Sequence, residues 1–178
     1  MKSELYKRII SSLILMSLIF FSALVNDYIF LSILFIVIIL SWIEWIKIIE
    51  KIRFKKIYQI ILVILFFIYL MVAFIVCFNV FAIDKYFFLT LLMICIFSDV
   101  GGYMFGKIFG GRKLTKISPK KTVSGSIGSF ILSYVGFFVT YFYFNDLLFV
   151  RLEIEALFFI PFFVSLICQL GDLFISFY

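Results

Sequence analysis

The sequence contains no histidine, which removes imidazole proton shuttles, Ser-His-Asp triads and histidine metal sites together. Its three cysteines, Cys77, Cys95 and Cys168, each lie inside an apolar run and form no CxxC pair. Neither a disulfide framework nor a metal knuckle is indicated, and they read as small core residues. Charged residues make up only 15% of the chain. Any catalysis must therefore draw on carboxylates, lysines, hydroxyls and an added metal.

What is present is overwhelmingly apolar. Hydrophobic residues account for 66% and aromatic residues for 22%, with a mean hydropathy of +1.26, whereas soluble domains are roughly 45–50% apolar. Such a chain needs lipid as its solvent. Its 178 residues leave room for about six spans of about 20 residues each. The composition thus predicts an all-α, polytopic transmembrane helical bundle, a single integral membrane domain over residues 1–178 with no soluble domain. A sheet is not expected, because lone strands cannot satisfy their backbone in hydrocarbon.

The apolar runs place the spans at Ile9–Val25, Ile29–Ile46, Ile57–Val80, Tyr86–Phe97, Gly128–Phe144 and Ala156–Tyr178. The first has the positive flank of a signal peptide but lacks a small-x-small cleavage site, so it is expected to be retained. Glu44, between Trp42 and Trp45, suits the headgroup level, and Asp84 with Lys85 makes a tight turn. Residues 98–126 hold six of the nine glycines and one of the two prolines, and are expected to form the long polar loop. If the spans alternate, Lys2, Lys7 and Arg8, the basic run from Lys47 to Lys56, and the run from Lys107 to Lys121 share one side. Asp27, Asp84, Asp146, Glu153 and Glu155 share the other with Lys85 and Arg151. The positive-inside rule then puts the N-terminus and the polar loop in the cytoplasm of a multi-pass inner (plasma) membrane protein. The net charge of +6 reflects this loop bias, and no nucleic acid partner is expected.

Asp99 stands at a span end, followed by glycines that let a backbone or a phosphate approach closely, and then by a basic tail suited to anionic oxygens. The four-residue spacing of Gly102, Gly106 and Gly110 is equally the small-xxx-small pattern of helix packing. Gly101 to Lys107 satisfies GxxxxGK, but Ile108 stands where a phosphate-binding P-loop needs Ser or Thr, and an apolar span precedes it where a strand belongs. In the sixth span Ser165, Gln169, Asp172 and Ser176 form one polar stripe at helical spacing. An acid inside a span costs about 2.5–3.5 kcal/mol on insertion scales. Asp172 should therefore face protein, water or a metal, or pair with a loop lysine.

The segments Gly102-Tyr-x-x-Gly-Lys-x-Phe-Gly, Lys116-Ile-Ser-Pro-Lys-Lys-Thr and Gly125-Ser-Ile-Gly resemble the central loop of the bacterial phosphatidate cytidylyltransferases. Tyr6-Lys-Arg-Ile, Trp42-Ile-Glu-Trp and Gln169-Leu-Gly-Asp-Leu-Phe are similar to that family too, so the resemblance covers the whole chain. Val123-Ser124 departs from it, because the family often carries a glutamate at the second position. The resemblance implies attack of a phosphatidate phosphate oxygen on the α-phosphorus of CTP, giving CDP-diacylglycerol and pyrophosphate with Mg²⁺ assisting. It implies Asp172 and Asp99 as catalytic residues, Asp172 being the metal ligand and Asp99 a second acid near it. Lys116, Lys120 and Lys121 would clamp phosphates, Ser118 and Thr122 would donate hydrogen bonds, and Gly125 would permit close approach. CTP, phosphatidate and the bilayer are the implied partners, with a homodimer left open. The family's C-terminal signature opens at a serine matching Ser176 and contains a second metal-binding aspartate beyond Tyr178, so the chain as given is expected to lack activity. A CTP-dependent polyprenol kinase and an inactive relic remain alternatives. A small transporter is the third, although it should show paired repeats that this sequence does not have.

Overall fold

The computed structural model describes residues 17–51, 55–114, 118, 121–148 and 152–175. The described residues 17–25 are helical (α1) and are followed by α2 (Asp27–Lys51), α3 (Lys56–Ile83), α4 (Lys85–Ile108), α5 (Val123–Phe144) and α6 (Ile154–Ile175). Each of α2 to α6 is long and apolar enough to cross a membrane. Among the described residues the only extended pairing is an isolated antiparallel bridge between Lys113 and Thr122. The protein is an all-α, polytopic membrane protein. The beginning of the first expected span, residues 9–16, lies outside the described residues.

The helix starts follow from local side-chain chemistry. Asn26 separates α1 from α2, and its Oδ1 accepts the Tyr28 amide at 2.8 Å, satisfying a donor that the first turn would otherwise leave free. Asp84 does the same for α4, accepting from the amides of Tyr86 and Phe87 at 3.0 Å. The tight turn expected at Asp84–Lys85 is therefore a one-residue break held by an N-cap.

The chain divides into two compact units, Met1–Ala82 and Ile83–Tyr178. In the first, α2 and α3 run antiparallel and meet through rings. Phe30 stacks on Phe81 and Trp45 on Phe66, both with centroids 4.4 Å apart, and Phe35 meets Phe74 edge-on. Gln59 donates to the Ile49 carbonyl at 3.2 Å near the end of this hairpin where α2 connects to α3. Bulky rings hold the two axes apart, and most of the outward surface is aliphatic or aromatic, as lipid requires.

The second unit is packed on the opposite principle. α4 and α5 are antiparallel and come close because glycines face each other. A Cβ on Gly101 would lie 2.3 Å from the Gly128 carbonyl oxygen, and one on Gly125 would lie 2.7 Å from the Gly102 carbonyl oxygen. Gly136 admits the Phe97 ring in the same way. α6 runs antiparallel to α5, with Phe130 stacked on Phe162 at 5.1 Å. Pro161 interrupts the hydrogen-bond ladder of α6. Nearby, the Tyr134 hydroxyl donates to the Phe158 carbonyl at 2.7 Å.

These contacts correct the expected loop at 98–126. α4 continues to Ile108 and α5 already starts at Val123, so residues 98–108 and 123–126 belong to helices and the segment joining them is 109–122. Glycine is a poor helix former in water, which favours reading Gly101, Gly102 and Gly106 as loop. Here a Cβ on Gly101 or Gly102 would stand under 3 Å from α5 and one on Gly106 would press on the Thr122 hydroxyl at 3.1 Å, so tertiary packing overrides propensity.

Candidate functional site

α4 ends where Gly110 and Gly111 take φ values of +57° and +101°, a left-handed backbone that glycine adopts without penalty. The chain then doubles back. The Leu114 amide donates to the Lys121 carbonyl at 2.8 Å, and the Val123 amide donates to the Arg112 carbonyl at 3.0 Å. This short ladder closes the connection into a hairpin at one end of the α4–α5–α6 unit. Thr122 caps α5, its hydroxyl accepting from the Gly125 amide at 3.1 Å. Ser124 donates back to the Gly110 carbonyl, so the start of α5 is stapled to the end of α4.

The hairpin delivers Lys121 to α6. Its ammonium lies 3.0 Å from the Asp172 carboxylate, and that aspartate side chain is 57% exposed. Asp99, on the neighbouring turn of α4, is also exposed and lies within electrostatic range of both Asp172 and Lys121. Two carboxylates and one ammonium thus converge at an open polar end of the unit. Lys107, Arg112 and Lys113 add positive charge at that end. Asp84, Asp146, Glu153 and Glu155 lie at the other.

Beneath the charged group runs a polar chain linking all three helices. Ser126 on α5 donates to Gln169 Oε1 on α6. Gln169 Nε2 reaches Ser165 Oγ at 3.3 Å, and Ser165 shares a buried 2.8 Å hydrogen bond with Ser98 on α4. The helical spacing of Ser165, Gln169 and Asp172 marks the α6 side of this arrangement in the sequence. Its partners Ser98 and Ser126 carry no such signal, because single serines pack in membranes at little cost. Cys95 and Cys168 also meet thiol to thiol between α4 and α6, each one turn before an aspartate of the site. Nothing in their spacing foretells this.

The expected site residues distribute as follows. Asp172, Asp99 and Lys121 come together. Ser118 is buried, and its carbonyl accepts the Lys121 amide at 3.1 Å, so it shapes the hairpin directly before that lysine. The Thr122 hydroxyl is engaged in the cap. Gly125 is buried against α4, where its close approach is to the Gly102 carbonyl and Gly106. Lys116, Lys120 and Ser176 lie outside the described residues. Among the described residues no group of three or more His, Cys, Asp or Glu side chains is placed to hold a metal ion. Asp99 and Asp172 nevertheless suit Mg²⁺, which commonly takes one or two carboxylates and completes its shell with waters and substrate phosphates.

Residues 51–178 match the profile of the "Cytidylyltransferase family". The chain belongs to the cytidylyltransferase family. Two curated proteins are similar to this cytidylyltransferase-family chain. A phosphatidate cytidylyltransferase of Staphylococcus haemolyticus is 38% identical over 77 residues, which cover 43% of this chain and 28% of that protein. A phosphatidate cytidylyltransferase of Encephalitozoon cuniculi is 36% identical over 63 residues, covering 35% of this chain and 16% of that protein. The matches thus span less than a third of either relative. No solved structure matches this family member significantly. The hairpin, Asp99 and Asp172 all fall inside the matched region 51–178.

Proposed function

We propose that this chain carries phosphatidate cytidylyltransferase chemistry, joining CTP and phosphatidate to give CDP-diacylglycerol and pyrophosphate in phospholipid biosynthesis. The convergence of Lys121, Asp99 and Asp172 at one basic end of a membrane-embedded unit carries this reading. The region matching the family and the two phosphatidate cytidylyltransferase relatives support it. Transfer of a phosphorus group calls for positioning and charge neutralisation more than for covalent catalysis. A basic hairpin at the membrane surface can hold a triphosphate from water and a lipid phosphate from the bilayer at the same time.

Lys121 binds phosphate oxygens, together with Lys116 and Lys120 of the same hairpin. In the resting state Asp172 neutralises Lys121, so an arriving phosphate competes with the carboxylate for the ammonium and releases Asp172. Asp172 and Asp99 would then hold Mg²⁺. The metal, when bound, neutralises developing charge on the phosphate oxygens. Ser118 sets the hairpin turn ahead of Lys121, and Thr122 fixes the start of α5 against α4. The hairpin faces the cytoplasm of an inner (plasma) membrane, where CTP is available.

The test uses the full-length protein in mixed micelles with radiolabelled CTP, phosphatidate and magnesium. Labelled CDP-diacylglycerol should form and should be lost in Asp172→Asn. Label in a phosphorylated polyprenol instead would assign kinase chemistry, and no lipid product from either acceptor would overturn the reading.

A further inference from the structure

Near Asp172, α6 meets its neighbours through Cys168, whose thiol meets Cys95 of α4, and through Gln169. An ion pair as exposed as Lys121–Asp172 is screened by solvent and cannot by itself fix a helix. Gly171, directly before Asp172, has nothing within 4 Å of where its Cβ would stand, and glycine loosens the helix it occupies. The aromatic contact between Phe130 and Phe162 lies more than a full turn earlier, beside Pro161. Between these loose points stands Gln169, which accepts from Ser126 of α5 and donates to Ser165, itself bonded to Ser98 of α4. Gln169 and Asp172 are three residues apart and so share a helix face.

We infer that Gln169 is a positioning residue: the hydrogen bond it accepts from Ser126 clamps the end of α6 to α5, its bond to Ser165 within α6 orients the amide for that contact, and together they hold Asp172 opposite Lys121 and Asp99. The clamp is suited to its place. An amide offers an acceptor and a donor on one planar group, so it can bridge two helices without adding a charge to the membrane interior. A hydrophobic side chain of equal length would keep the packing and lose the register. The catalytic part of this inference rests on the function proposed above, whereas the geometric part does not.

Spin labels at Ile127 on α5 and Leu170 on α6, both exposed, report the position of the α6 end in the full-length protein with Cys77, Cys95 and Cys168 replaced by alanine. Labels at Ile131 and Phe159, also exposed, report the packing of the same two helices near Pro161. With Gln169→Met, which preserves length and removes both hydrogen bonds, the Ile127–Leu170 distance distribution should broaden while the Ile131–Phe159 distribution stays as in the parent. In parallel, kcat for cytidylyl transfer should fall about tenfold to a hundredfold, the cost of a small misplacement of a reacting group, with little change in KM for CTP. An unchanged Ile127–Leu170 distribution overturns the clamp. So does a broadened one with full transfer by Gln169→Met when Asp172→Asn is inactive, because Asp172 then needs no positioning. If the distribution broadens and neither substitution affects transfer, the clamp stands as geometry, and the assignment of Asp172 to cytidylyl transfer fails instead.

Discussion

Lys121 and Asp172 approach within 3.0 Å from two segments with no direct connection, a hairpin closed by its own backbone and the last turns of the third helix of the unit. Both groups remain open to water, which sets the pair apart from a structural ion pair. Exposed pairs contribute about 0–1 kcal/mol to stability. Under the proposed function, the contact keeps a lysine near its working position until an anion replaces the carboxylate.

The first consequence separates stability from activity. Asp172→Asn should leave the thermal unfolding midpoint in detergent close to that of the parent, while cytidylyl transfer by the full-length protein falls by orders of magnitude. A large drop in midpoint with no kinetic defect would make Asp172 a structural residue.

Lys121→Gln should raise the apparent KM for CTP, for phosphatidate or for both, and the effect should shrink as salt is added, because added ions screen what a partly exposed lysine contributes. KM values equal to those of the parent at low salt would reduce Lys121 to ordinary positive charge at the membrane surface.

The glycine seam gives a contrast within one unit. A Cβ at position 128 would stand 2.3 Å from the Phe105 Cβ and 2.8 Å from the Gly101 carbonyl oxygen, whereas one at position 171 would meet nothing within 4 Å. Gly128→Ala should therefore destabilise by about 1–3 kcal/mol, the usual cost of overpacking. Gly171→Ala should be neutral or stabilise by up to about 1 kcal/mol through helix propensity. Thermal unfolding of both variants measures the difference, and equal midpoints would contradict the close approach of α4 and α5.

Topology is tested from outside the cell. Single cysteines at Lys113 and Asp146 lie at opposite ends of the α4–α5 pair, and from the distribution of basic residues the Lys113 end is expected in the cytoplasm. A membrane-impermeant thiol reagent applied to intact cells should label the Asp146 site and spare the Lys113 site. The reverse pattern would invert the orientation.

Much of the fold was legible along the chain because lipid imposes a one-dimensional rule. A helix must supply about 20 largely apolar residues, and α2, α3, α5 and α6 stand where the apolar runs do, whereas α4 continues past its run at Phe97 to Ile108. The polar stripe of Ser165, Gln169 and Asp172 was legible for a related reason, since polar groups at helical spacing inside a span must face something other than lipid. The limits of the polar loop were not. Glycine marks both a loop and a close helix contact, and the residues that choose between them at Gly101 and Gly102 are Gly125, Gly128 and Ser129 on another helix.

The sequence by itself determined that this is a helical membrane protein with its basic hairpin between two spans, because hydropathy and charge are sums over neighbouring residues. Only the tertiary structure decided which residues meet: Lys121 with Asp172, Ser126 with Gln169, and Gly125 with Gly102 and Gly106 of α4. Such pairings depend on how closely two backbones can approach and at what height along their axes. Those quantities are fixed by contacts between segments far apart in the chain, which no local pattern records.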